Sequence, residues 1–409
     1  MNKRLHELDS LRGVAAFTVM LSHLALVFPL IWNTAGPTGA AWWVKLIMFS
    51  PLRVAWAGHE AVIFFFMLSG FVLALLFFGS GEAPPYRLYV IKRILRIYPP
   101  YLVAALSALV LREIFFKGPV PFVSSWFNQS WQSPVTSDVI TDHLVMIGSF
   151  KNCDFNPVLW SLVHEMRISI IFPLIVWVLV KHERLSLVLP AVFTFVYWLT
   201  TSLKFHGHLA FDHDYFDTLH YTGFFIVGGF LAKHRNRVVQ MAQQMPKNLK
   251  WLLLAGAILA YSNAFWLPYY GTPQVGLIGL TLSKFWFQEW ITASGVLVFI
   301  AFAISSSATS GRLSGVLAAK PLLFLGSISY SLYLFHALVF KVVVTTWGQS
   351  LPMAAVLGIG VVLSLVIATL SWRYIEGPCI HLGKVITKRW HQKQTAATAQ
   401  RVIPIALDP

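Results

Sequence analysis

Two side chains that could do chemistry, Arg12 and His23, lie eleven residues apart in the first long apolar stretch of the chain. Eleven residues at about 100° each amount to three helical turns plus roughly 20°, so a helix places both on one face, about 16 Å apart along its axis. An imidazole exchanges a proton near neutral pH, and a guanidinium binds anions. Alternatively, Arg12 anchors the helix end and His23 is a core histidine bonded to a neighbouring helix.

A second candidate is the pair Arg93 and Arg96 in the sequence YVIKRILRIYPP. Residues three apart share a helix face, and two guanidinium groups placed in this way can bind phosphates through paired hydrogen bonds. The alternative is a basic anchor attracted to anionic lipid headgroups, and the pair taken alone fits that alternative better. The other motifs of the chain are needed to decide between the two.

Two further clusters place polar side chains inside apolar stretches. Glu165 lies in NPVLWSLVHEMRISIIFP, beside a histidine and an arginine, and its carboxylate could orient a histidine or balance its charge. A structural polar contact between helices is the alternative. Ser329, Tyr333 and His336 follow at spacings of four and three residues, and they form one polar stripe on an otherwise apolar helix.

The elements that carry these residues are membrane helices. Of 409 residues, 57% are apolar and only 11% are charged, and the mean hydropathy is +0.67, which excludes an ordinary soluble domain. The formal charge of +15 does not indicate a nucleic-acid partner, because the basic residues lie between the apolar runs. A spanning segment has about 17–25 apolar residues and is helical. The sequence therefore predicts an all-α, polytopic membrane fold with about ten spanning helices, near residues 12–31, 58–78, 97–116, 158–180, 185–203, 216–232, 249–266, 286–306, 321–345 and 352–375.

Loop charges predict the orientation of the chain. In a ten-span topology, 22 of the 31 Lys and Arg residues fall on one side and eight on the other. Cytoplasmic loops are the more basic ones, so both termini are predicted to be cytoplasmic. We expect the protein to lie in the plasma (inner) membrane. We predict a membrane domain at residues 1–380 and a cytoplasmic, partly disordered tail at 381–409. The stretch 267–285 is predicted to be a re-entrant or interfacial segment.

In their order along the chain, these motifs resemble those of the integral-membrane acyltransferase family 3, whose members modify bacterial surface polysaccharides, peptidoglycan, lipids and some antibiotics. The resemblance runs from about Leu8 to Pro378, and the ordered set is more specific than any single motif. The matching motifs are Arg-x10-His at Arg12 and His23, Arg-x-x-Arg at Arg93 and Arg96, Trp-Ser-Leu-x-x-Glu at Trp160 to Glu165, Ser-x-Ser-Tyr-Ser-x-Tyr-x-x-His at Ser327 to His336, and Tyr-x-Glu-x-Pro at Tyr374 to Pro378.

The resemblance implies an O-acyltransferase that takes an acyl group, most simply acetyl, from cytoplasmic acyl-CoA. Its acceptor would be a hydroxyl group of a cell-surface carbohydrate or a lipid-linked sugar. Acyl-CoA is then a co-substrate, and we expect no tightly bound cofactor and no metal. Some family members carry a fused extracytoplasmic domain, whereas this sequence ends about 30 residues after Pro378. We therefore expect the membrane domain to act alone or with a separate extracytoplasmic partner.

Thioester chemistry needs a phosphate site, a base or nucleophile at the thioester carbon, and a water-poor cavity. The alternative class is a secondary transporter or a glycolipid flippase, which also keeps Arg, His and Glu near the membrane midplane. Inverted repeats would favour that class, and the two halves of the sequence show none. The predicted catalytic residues are His23 as general base or acyl carrier, Glu165 as the group that orients His23 or balances its charge, and His336 with Tyr333 as further candidates. The predicted donor-binding residues are Arg12, Arg93 and Arg96.

Overall fold

The structure is a computed structural model that describes residues 5–32, 40–79, 83–148, 155–205, 214–266, 285–309 and 312–401. Within these ranges every regular element is a helix and none is a strand, in agreement with the predicted all-α fold. The long helices are α1 (His6–Leu26), α2 (Gly58–Phe78), α3 (Tyr86–Phe115), α4 (Leu159–Lys181), α5 (Glu183–Phe205), α6 (Asp214–Lys233), α7 (Lys247–Tyr261), α8 (Phe285–Thr309), α9 (Lys320–Trp347), α10 (Met353–Ser371) and α11 (Gly377–Arg401). Shorter helical segments are Pro29–Trp32, Trp42–Met48, Pro51–Trp56, Ser125–Gln129, Ser137–Val145, Arg235–Gln244, Asn263–Trp266, Arg312–Leu317 and the π-helical turn Trp372–Glu376.

Seven helices in the described part are long and apolar enough to cross a membrane, by length and composition. They are α2, α3, α4, α5, α8, α9 and the continuous run of α10 into α11. The chain is therefore a multi-pass membrane protein. The other three predicted spans fall on α1, α6 and α7: the first two carry several charged residues, and α7 has only 15 residues. The number ten and the orientation stay predictions, and 267–284 lies outside the described residues.

Helices α1 and α9 pack backbone against backbone at the centre of the bundle. A Cβ atom added at Gly13 would lie 2.4 Å from the backbone nitrogen of Gly326, so glycine is required at this contact. Small residues of this kind let membrane helices approach each other closely. The contact fixes the rotation of α1 and presents Arg12 and His23 to α9.

Helices α2 and α6 make a second close contact of the same kind. A Cβ atom at Gly228 would lie 2.0 Å from the carbonyl oxygen of Met67, and one at Gly70 would lie 2.2 Å from that of Phe225. Helix α3 packs against α4, α9 and α11, and α2 packs against both α1 and α4. These contacts arrange six helices, namely α1, α2, α3, α4, α9 and α11, around one interior space.

Helix α11 runs across the predicted boundary at residue 380. The π-helical turn Trp372–Glu376 joins α10 directly to α11, which runs across residue 380 without a break to Arg401. Residues 381–401 of the predicted, partly disordered tail are thus helical, and α11 packs against α3. The boundary between domain and tail stays a prediction. Residues 402–409 lie outside the described part of the chain.

Candidate active site

A cavity of about 610 Å³ lies among α1, α2, α3, α4, α9 and α11. Lys92 of α3 and Lys384 of α11 line one end, on the side that is predicted to be cytoplasmic. Ser161 of α4 and Tyr333 of α9 line the other end, deeper in the bundle. The cavity therefore leads from the basic side of the protein towards the middle of the predicted membrane domain.

Positive charge dominates the lining of this cavity, which has five basic and two acidic side chains. A low-dielectric cleft lined by an excess of one sign concentrates ions of the opposite sign. Guanidinium and ammonium groups are also the usual ligands of phosphate. The cavity is therefore suited to an anionic ligand. The basic residues are Arg12, Lys92, Arg93, Arg96 and Lys384, and the acidic ones are Asp9 and Glu165.

Arg93 and Glu165 form an ion pair in the cavity wall. Arg93 Nη2 donates to Glu165 Oε1 at 2.8 Å and to Ser169 Oγ at 2.8 Å, and Ser69 Oγ donates to the same carboxylate oxygen at 3.2 Å. The described hydrogen bonds of Glu165 thus go to Arg93 and Ser69, and its role beside His23 stays a prediction. This carboxylate balances the charge of Arg93, because it faces α3, whereas His23 has its hydrogen-bond partner on α9.

Arg12 is held against α9 by neutral oxygen atoms. Its Nε donates to Ser329 Oγ at 2.9 Å, and its Nη2 donates to the carbonyl oxygen of Gly326 at 3.0 Å. These bonds fix the guanidinium in the cavity wall without neutralising its charge. Arg12 can therefore attract an anion that enters the cavity.

Arg96 has no hydrogen bond or ion pair with any residue that the structure describes, although it is half-buried in the cavity lining. Its charge interacts with those of Arg12 and Arg93, and with the carboxylates of Glu165 and Glu376. Burying a cation without a hydrogen-bonding partner is costly. An anionic ligand in the cavity would supply the partner that Arg96 lacks among the residues that the structure describes.

His23 and His336 form a directly bonded pair of imidazoles. His23 Nδ1 lies 2.8 Å from His336 Nε2, and His336 Nδ1 lies 2.8 Å from the carbonyl oxygen of Leu332. A carbonyl only accepts, so neutral His336 carries its proton on Nδ1 and accepts at Nε2. His23 therefore donates from Nδ1 and keeps a free lone pair on Nε2. A general base needs this arrangement, in which the second ring nitrogen is fixed by a hydrogen bond.

Tyr333 lies between the cavity and the histidine pair. Its hydroxyl oxygen is 2.6 Å from Ser161 Oγ, and its ring centroid is 6.2 Å from that of His336. The predicted polar stripe on α9 thus contacts three other parts of the site: Ser329 bonds Arg12, Tyr333 bonds Ser161, and His336 bonds His23.

Several residues of the site are missing from the predicted set, among them Ser169 and Lys384. Ser169 bonds Arg93 and follows Glu165 by one helical turn, a spacing that would have indicated it. Lys384 lies in the segment predicted to be a tail, and no motif in the sequence indicates its place in the cavity.

A second buried polar cluster lies on α2, α6 and α8. Glu289 Oε1 is 2.7 Å from His59 Nε2, and its Oε2 is 2.7 Å from His220 Nε2. The side chains of Glu289 and His220 are 3% and 1% exposed. None of the three lines the cavity described above, and their mutual bonds tie three helices together. We interpret this cluster as structural.

Residues 5–373 match the family model described as acyltransferase domain, which places this membrane protein among the acyltransferases. More particularly, the chain belongs to acyltransferase family 3, since the match covers most of its 409 residues. No curated protein and no solved structure is detectably similar to the chain.

Proposed function

We propose that the protein is an O-acyltransferase that moves an acyl group, most simply acetyl, from acyl-CoA to a hydroxyl group of a carbohydrate. The observation that carries this proposal is Arg96, which lines the cationic cavity without a partner in the described part of the chain. A phosphate-bearing thioester supplies the anion at this end. Its acyl group would then point towards the histidine pair at the other end.

The phosphates of the donor bind to the cations that are free to turn towards them, Arg96, Lys92 and Lys384. Arg12 assists from α1, while Arg93 is already paired with Glu165 and shapes the wall. The flexible arm of the coenzyme follows α1 inward from Arg12, over the distance of about 16 Å that eleven helical residues span. It thereby brings the thioester to Tyr333 and the histidine pair.

His23 Nε2 removes the proton of the acceptor hydroxyl while the hydroxyl oxygen attacks the thioester carbonyl carbon. The carbon–sulfur bond breaks, and the proton held by His23 passes to the sulfur of coenzyme A. His336 accepts from His23 Nδ1 and fixes its orientation, as a carboxylate does in other hydrolase and transferase sites. Tyr333 donates its hydroxyl hydrogen to the developing oxyanion when Ser161 turns its own hydroxyl hydrogen from the carbonyl oxygen of Val158 to the tyrosine oxygen.

We further propose that the donor binds from the cytoplasm and that the acceptor binds from the outer side of the plasma membrane. The cavity end with Lys92 and Lys384 lies among the loops that carry most of the basic residues, which supports this direction. The acceptor is a cell-surface carbohydrate or a lipid-linked sugar, delivered with or without a separate extracytoplasmic protein.

The proposal is tested with protein purified in detergent, acetyl-CoA and an extract of surface carbohydrate. We expect release of the coenzyme thiol that depends on the extract, together with an acetylated product seen by mass spectrometry. A transporter or flippase moves its substrate without cleaving the thioester. Acetyl-CoA that is bound but never cleaved with any acceptor, or not bound at all, would overturn the proposed function.

A further inference from the structure

A second, much smaller cavity of about 20 Å³ adjoins His23. Along α9, residues 329–333 line the large cavity and residues 337–341 line the small one, with His336 between them. The polar side chains that line the small cavity include His23, Ser130 and Lys341, besides the indoles of Trp126 and Trp131. A space of this size holds one or two waters, and three polar groups are enough to bind one. The small cavity is therefore of the size of a hydroxyl group rather than of a sugar ring.

A well-anchored segment covers this cavity. The backbone nitrogen of Ser124 donates to the carbonyl oxygen of Val27 at 2.9 Å, at the end of α1. Trp131 is fully buried, and its Nε1 donates to the carbonyl oxygen of Phe155 at 3.0 Å. Between these anchors, the half-buried ring of Trp126 lies 5.0 Å from the ring of His23, measured between centroids. The segment thus holds an indole next to the base.

Lys341 is the least expected residue of this cavity. It is only 6% exposed and lies in an apolar stretch of α9, close to the end of that helix at Trp347. Its Nζ donates to the carbonyl oxygen of Phe127 at 2.6 Å and lies 4.2 Å from the centroid of the Phe127 ring. No carboxylate pairs with it among the residues that the structure describes. Such burial of an ammonium group costs free energy, so a lysine at this place calls for an oxygen ligand in addition to the carbonyl.

We propose that the small cavity binds the reacting hydroxyl of the acceptor and that Lys341 is a catalytic residue of the acyl transfer. This inference rests on the proposed function. An ammonium group can only donate hydrogen bonds, so a hydroxyl bonded to Lys341 accepts there and turns its own proton towards another acceptor. The free Nε2 of His23 is the acceptor that the cavity offers.

The same contact stabilises the charge that develops in the reaction. As the O–H bond breaks and its proton moves to His23 Nε2, negative charge grows on the hydroxyl oxygen while that oxygen bonds to the acyl carbon. The C–S bond then breaks, and the proton goes to the sulfur of coenzyme A. A fixed cation next to the oxygen lowers the barrier of the first step. The ring of the sugar is too large for the cavity and packs outside it against Trp126.

Lys341→Met tests this role, because methionine keeps the unbranched apolar stem and removes the charge. Ethanol and trifluoroethanol are the acceptor probes: both are small, and the hydroxyl of the second is much more acidic. We expect Lys341→Met to lower transfer to ethanol by about a hundredfold and transfer to trifluoroethanol much less, because an acidic hydroxyl needs less help to form an alkoxide. Affinity for coenzyme A should stay within about twofold of that of the original protein.

Gln129→Ala is the matched control, since Gln129 is exposed on the same covering segment and should leave both rates unchanged. A methyl glycoside tests the stacking: Trp126→Ala should raise its KM, and Trp126→Phe should restore most of the binding. Equal losses with both alcohols, or full activity of Lys341→Met, would overturn the role of Lys341. If the original protein binds coenzyme A but cleaves acetyl-CoA with no acceptor, the proposed function fails instead.

Discussion

Arg93 and Arg96 lie one helical turn apart in the same cavity, yet the structure predicts opposite effects of removing them. Arg93 is bonded to Glu165 and Ser169, whereas Arg96 has no partner in the described part of the chain. Arg96→Ala should therefore weaken binding of coenzyme A and leave stability unchanged or slightly raised. Arg93→Ala should mainly destabilise the fold.

The magnitudes follow from the contacts. A charge-assisted hydrogen bond contributes roughly 1.5–3 kcal/mol, so losing one between Arg96 and a phosphate should raise the Kd of coenzyme A about ten- to a hundredfold. Removing one partner of a buried ion pair lowers the free energy of unfolding by about 3 kcal/mol or more. For Arg93→Ala we expect a loss near ~3 kcal/mol, because Ser69 still bonds Glu165. The side chains of this pair are 11% and 19% exposed, so solvent screens them little.

The assay is titration calorimetry of coenzyme A with detergent-purified protein, combined with the melting temperature of each variant. Arg96→Lys should bind with intermediate affinity, since it keeps the charge and loses the paired geometry. Arg93→Ala combined with Glu165→Ala should recover part of the stability lost by Arg93→Ala alone. Unchanged affinity of Arg96→Ala, or a melting temperature as low as that of Arg93→Ala, would refute the reasoning and return Arg96 to the role of a lipid anchor.

Three further outcomes are expected. His23→Ala should lower acyl transfer at least about a hundredfold while coenzyme binding persists, and a destabilised but active variant would show a core histidine instead. Gly228→Ala should give little folded protein in size-exclusion chromatography, because its Cβ would lie 2.0 Å from a backbone oxygen of α2, whereas Gly256→Ala, with no atom within 4 Å, should be tolerated. In a variant without the native cysteines, Gln129→Cys should react with a membrane-impermeant thiol reagent added to intact cells, and Gln244→Cys should not. The reverse result would show that the topology is opposite to the predicted one.

Helical spacing alone placed Arg12 and His23 on one face of α1, and the structure shows both bonded to α9. Such inferences depend only on the geometry of one helix, as does the polar stripe of α9. The partner of Glu165 depends instead on how α4 is rotated against α3, and a single sequence does not contain that rotation. The different roles of Arg93 and Arg96 have the same origin, since both lie on one face and only one of them meets α4.

The composition is sufficient to predict an all-α membrane protein, but the ends of the spanning helices are harder to predict. A hydropathy window merges the short α7 with the helical turn Asn263–Trp266 that follows it. The helix after Pro378 is also difficult to predict, because its sequence is charged and looks soluble although it packs against α3. Lys384 enters the cavity on this helix, and polarity in the sequence does not distinguish a cavity wall from a solvated surface.

The backbone contact of Gly13 with Gly326 fixes the position of α1 along α9. Arg12 and His23 keep a constant separation because both lie on α1. The two helices cannot slide past each other, so Ser329 and His336 on α9 stay in register with these two residues. In the proposed function, Arg12 lies near the coenzyme phosphates and His23 at the reacting carbon. A coenzyme arm that is one methylene longer or shorter would still carry its phosphates and thioester, but it would shift the reacting carbon by about 1 Å. Misplacement on this scale costs about a hundredfold in rate. The protein should therefore select donors by the length of their arm, even where their charge and leaving group are the same.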